Sequence, residues 1–261
     1  MLRDWNSNNR ALSLNLNIKC KGQKRFIVFA KDKGKPHSKY ANREITVDGE
    51  RSIFLSFPIT PRQMTLAVVD ADNKSSDDFK VSFEEKPLKT YLIWMDFDTK
   101  EFLTLCFHFC QVCGFENAPT SGKLYQSADG KFNIKMFPQI VDFMSKRVLN
   151  TPARIGHQSG IIEVSKQKFD GYTFAQRMII MLHEYSHKYR NPKLGLNIDN
   201  EIGADINALY IYLGLGFSKV DAIYVFANVF LSAQTPGNQE RMRKIIDYIN
   251  RFENGEFAQV A

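Results

Sequence analysis

The sequence predicts an α+β protein in two parts, an antiparallel β-sandwich over residues 1–90 and a mixed sheet with helices over residues 91–261. Three observations carry this expectation. Apolar and polar residues alternate with period two from Ala11 to about Thr90. Beyond Asp96 the periodicity becomes helical, and between the two regimes the texture breaks at Glu84-Glu85-Lys86-Pro87. A chain of 261 residues with 44% hydrophobic and 24% charged residues can bury a core without disulfides.

In the first part Leu12, Leu14, Leu16 and Ile18 alternate with polar residues. Strand-like runs follow at Arg25–Ala30, Glu44–Val47, Ser52–Phe57, Met64–Asp70, Phe79–Phe83 and Thr90–Met95. Asp48-Gly49 and the polar run Asp70–Asp78 supply turn chemistry. About seven short strands of this kind suit a small sandwich whose role is docking, spacing or assembly. In the second part Asp98 and Glu101 form a capping-box pattern for a helix ending near Cys113-Gly114. A strand over Lys131–Met136 and a helix over Pro138–Val148 are expected next, then a strand pair or long edge strand within Arg154–Lys168. Thr173 and Gln176 open a helix over Phe174–Arg190, which Asn191-Pro192 stops. Helices over about Asp199–Leu213, after Ser218 and Asp221, and over Gln239–Phe252 complete the reading, with Pro236-Gly237-Asn238 as a separator.

The net charge is +7, and nine Lys or Arg residues fall between Lys19 and Arg43 against one acid, Asp32. Aromatic residues are not interleaved with them as a strand-binding groove requires, so nucleic acid is not an expected partner. No apolar run reaches the roughly 20 residues of a membrane span, and no membrane partner is expected. The N-terminus lacks an apolar h-region, and four cysteines do not make a disulfide framework. These features fit a reducing cytoplasm, and equally a virion assembled there. Cys106, Cys110 and Cys113 occupy one helical stripe, and residues seven apart on a helix stand about 10 Å apart, too far for one metal. They read as core. His108 and His37 carry no further signal.

The chemistry sits in His183-Glu184-Tyr185-Ser186-His187. Histidines at i and i+4 share a helix face and can reach one ion, a spacing that suits Zn2+. Glu184 follows the first ligand directly and lies beside the metal, where a base takes a proton from zinc-bound water. A third ligand is offered by Glu201 on the next helix, and Asp205, four residues on, is placed to hold the outer nitrogen of a ligating imidazole.

HExxH followed on the next helix by ExxxD resembles the gluzincin branch of zinc metallopeptidases over about Arg154–Gly216. The resemblance implies a minimal zincin fold and peptide-bond hydrolysis. It also implies His183, His187 and Glu201 as ligands, Glu184 as general base and acid, Asp205 as partner of a histidine, and Arg154–Ser165 as a substrate-pairing edge. Thirteen residues separate His187 from Glu201, as in compact members of the group. For the oxyanion-stabilising group Tyr189, Tyr210, Tyr212, Tyr224 and His157 all remain open. The expected partners are a peptide or protein substrate, and further proteins through the N-terminal sandwich. The alternative is a zincin-fold assembly component, for example of a phage virion, that keeps a metal site with little or no peptidase activity.

Overall fold

A computed structural model of the chain describes residues 1–72, 78–195 and 201–257, with the backbone of 259–260. The chain is mixed α/β and divides into two compact units, Met1–Lys89 with Gly216–Ser218, and Thr90–Leu215 with Lys219–Ala261.

The first unit holds five strands: β1 (Leu2–Asn6), β2 (Leu12–Asp32), β3 (Lys39–Phe57), β4 (Gln63–Asp70) and β5 (Phe79–Lys86). All pair antiparallel in a single hydrogen-bonded sheet, whereas seven short strands in two layers were expected. The difference lies in β2 and β3, 21 and 19 residues long, each of which absorbs two of the expected strands. The junctions are bulges instead of turns. Register slips between Lys19 and Gln23, opposite Asp48-Gly49. A type I′ turn needs positive φ at both central residues, and only Gly49 (+72°) has it, facing Gly22 (+68°) across the ladder. The chain reverses over 33–38, where the Asp32 carboxylate accepts from the amides of Gly34 and Lys35. The first half of β2 pairs with β5 and the second half with β4. Most of the expected turn at Asp70–Asp78 lies outside the described residues. The alternating Leu12, Leu14, Leu16 and Ile18 form the buried face, as do Phe26, Val28 and Ala30 after the bulge.

Four basic residues of the stretch Lys19–Arg43 pair with acids distant in sequence. Lys19 pairs with Glu50, Lys24 with Asp70 and Asp78, Arg25 with Glu44 and Asp72, and Lys33 with Asp4.

The second unit opens with β6 (Tyr91–Leu92), which pairs with β11 (Gln259–Val260). Helix α1 (Phe97–Val112) follows. Its cap is Asp96, accepting from Thr99 N at 2.8 Å, two residues earlier than the expected Asp98. A four-stranded sheet comes next, ordered β7 (Lys123–Gln126), β8 (Asn133–Phe137), β10 (Ile162–Ser165), β9 (Ala153–Ile155). β8 and β10 are parallel, and the outer pairings are antiparallel. The expected helix over Pro138–Val148 is absent. There the chain forms a hairpin-like loop with a bridge between Val141 and Val148. The Asp142 carboxylate accepts from the amide and hydroxyl of Ser145 (2.7 and 2.8 Å), and such local bonds compete with helix formation.

After α2 (Lys166–Phe169), α3 (Phe174–Ser186) opens with a complete capping box from Thr173 and Gln176. Every residue of α3 is buried, and it packs on α1, β9, α5 (Lys219–Val225) and α4 (Glu201–Gly214). It ends at Ser186 with His187 as its C-cap, short of the expected Arg190. The expected start of α4 at Asp199 lies outside the described residues. A π-helical turn, Phe226–Phe230, follows α5 directly. Pro236 is the first residue of α6 (Pro236–Glu253), where its missing N–H costs nothing, so the expected separator begins the helix instead. Among the described residues no helix is long and apolar enough to cross a membrane.

Candidate metal centre

The adjoining ends of α3 and α4 bring together His183, His187 and Glu201. The two Nε2 atoms are 3.1 Å apart. Glu201 places Oε2 3.5 Å from His183 Nε2 and Oε1 3.8 Å from His187 Nε2. One donor atom from each residue lies within 4.8 Å of the others. His183 is buried, His187 half-buried, and the Glu201 side chain 53% exposed, so the cluster faces outward from a buried base.

Asp205, one turn along α4 from Glu201, is fully buried and puts Oδ1 2.9 Å from His183 Nδ1. That leaves Nε2 of the same ring toward the cluster. Burial alone would disfavour a charged His183, but Asp205 and Glu201 outweigh it and push its pKa up to about 9. His187 is shifted down by burial and by the neighbouring ring. The hydrogen bond from His183 carries Glu201 down to about 2. Glu184 faces the other way in charge terms. Burial raises its carboxyl above the usual carboxylate range, opposed by His183 and by the backbone amide of Ile155 in β9.

Donors held about 2.0–2.1 Å from a tetrahedral ion stand about 3.3 Å from one another. The 3.1 Å between the imidazoles and the 3.5 Å from His183 to Glu201 Oε2 lie close to that value, and two imidazoles with one carboxylate suit a divalent transition metal. The residues present therefore fit a metal ion.

All five residues singled out in the sequence, His183, Glu184, His187, Glu201 and Asp205, lie in or beside this cluster. Two others were missed. Arg241 of α6 donates through Nη2 to Glu201 Oε2 (3.1 Å) and through Nε to Asp205 Oδ2 (3.0 Å), tying both acids together. Its signal was present: Arg241 shares a stripe with the buried Ile245, Ile249 and Phe252, where a cation needs a partner. Phe230, at the end of the π turn, lays its ring 4.1 Å from that of His183, and nothing in the sequence marked it. Of the residues considered for oxyanion stabilisation, Tyr189 stacks on Tyr185, and the Tyr210 hydroxyl accepts from the Trp94 amide. The cation beside the cluster is Arg241. Cys106, Cys110 and Cys113 are core residues, as expected.

Compared with protein-family models, curated proteins and solved structures, the chain matches none.

Proposed function

We propose that this protein is a zinc-dependent metallopeptidase of gluzincin type, its second unit a minimal zincin. The observation that carries the proposal is the convergence of His183, His187 and Glu201 from two helices beside the buried carboxyl of Glu184. A zinc ion bound there supplies a Lewis acid, which acidifies water and polarises a carbonyl. Glu184, its carboxylate made more basic by burial, is the group that accepts a proton and returns it to a leaving amine. Asp205 holds the His183 ring in one orientation, and Arg241 restrains Glu201. In this reading an extended peptide pairs with β9, an edge strand of its sheet whose Ile155 amide meets Glu184.

The test compares wild type, Glu184→Ala and His187→Ala by elemental analysis and by mass spectrometry of a digested peptide library. Wild type is expected to carry near-stoichiometric zinc and to cleave peptides. Glu184→Ala keeps the zinc and loses activity by about 10²-fold or more. His187→Ala loses both. A zinc-loaded wild type that cleaves no peptide would replace this reading with the architectural one.

A further inference from the structure

The loop between β8 and β9 ends in a tip that the metal site does not use. Its root is anchored: Ile140 is buried, and Lys168 Nζ donates to Asn150 Oδ1 at 2.6 Å. Its stem is closed by Asp142 N to Arg147 O (2.8 Å), Leu149 N to Ile140 O (2.9 Å) and the Val141–Val148 bridge. The turn is set by Asp142, Ser145 and the left-handed backbone of Lys146 (φ +57°). On this ordered stem Phe143 and Met144 are 78% and 86% exposed, with Val141 and Val148 partly exposed below them. An ordered turn that holds two large apolar side chains in water calls for a ligand.

We propose that this tip docks the protein on an anionic lipid surface, with Phe143 and Met144 entering the interfacial region and Lys146 and Arg147 meeting the headgroups. Charge complementarity points this way. Lys146 and Arg147 follow the apolar pair after Ser145, and Lys146 Nζ lies 4.2 Å from the centre of the Phe143 ring. The one acid of the turn, Asp142, has its Oδ1 engaged by Ser145. Size points the same way. A tip of two side chains falls far short of the roughly 800 Å² per partner of a stable protein interface. It does suffice for interfacial insertion helped by basic residues. No membrane partner is expected from the sequence because no apolar run is long enough to span a bilayer, and a tip that enters only the interfacial region needs no such run.

The experiment is co-sedimentation of the full chain with phosphatidylcholine vesicles, with and without phosphatidylserine. Binding is expected with phosphatidylserine and should weaken with salt. Phe143→Ser/Met144→Ser should lower binding at least about tenfold, and Lys146→Glu about fivefold or more, with zinc content and melting temperature unchanged. Phe143→Trp should show a blue-shifted emission on those vesicles only. Three results would overturn the proposal. One is no binding, another is binding that survives the Ser/Ser change, and the third is tip-dependent self-association without lipid, which would assign the tip to a second copy.

Discussion

His183 has each ring nitrogen directed to a separate task, Nδ1 to Asp205 and Nε2 to the donor cluster. Its electrostatics set a pH dependence. In metal-free protein the folded-state pKa lies above the ordinary value of 6.5, at about 9. The stabilisation from the charged ring is therefore fully present below pH 6.5 and lost as pH rises through about 9. Melting temperatures in chelator should fall across that window, and His183→Gln should flatten the fall. A flat wild-type profile would remove this account of the ring. The same proton competes with a metal, so apparent zinc affinity should rise with pH over the window. Arg241 is a positioning residue, since its planar fork reaches Glu201 and Asp205 at once. Arg241→Ala should weaken zinc binding about 10–100-fold in chelator competition. Arg241→Lys, able to satisfy one acid but not both, should fall between. Equal loss in both variants would indicate that only the charge matters.

At the scale of elements, the metal centre depends on where α3 begins and ends. Its capping box satisfies the first-turn amides, and its C-cap is itself a member of the cluster, so the helix stops as it delivers His187. Thr173→Ala should lower stability by about 1 kcal/mol, seen as a drop in melting temperature, while zinc stoichiometry stays at the wild-type value. Zinc loss in the folded variant would mean that the first turn sets the ligand geometry directly. The π turn after α5 shows a related device. One extra residue per turn places Phe230 against His183, and such bulges recur at functional sites. In the sheet of the first unit, Gly22 and Gly49 let two long strands continue through a register slip where other residues would be strained.

For the whole molecule, the division into two units separates the chemistry from the N-terminal sheet. All of the cluster, with Asp205 and Arg241, belongs to the second unit. A fragment spanning residues 90–261 should therefore bind as much zinc per chain as the full-length protein, measured by elemental analysis after gel filtration. A folded fragment without zinc would show that the first unit supports the centre. In the first unit Lys19, Lys24, Arg25 and Lys33 each meet an acid of the same unit.

The donor set was legible in one dimension because its logic is local. His183 and His187 are one helical turn apart, as are Glu201 and Asp205, and a single turn is all that the inference needs. Period-two alternation likewise placed the strands of the first unit. Partners on separate elements were not legible. Arg241 meets Glu201 across 40 residues, and Phe230 reaches His183 across 47. The loop at 138–150 was misread because Asp142 and Ser145 bond locally where apolar spacing suggests a helix. Periodicity reports which face of an element is buried, and only the packing of several elements decides which atoms then meet.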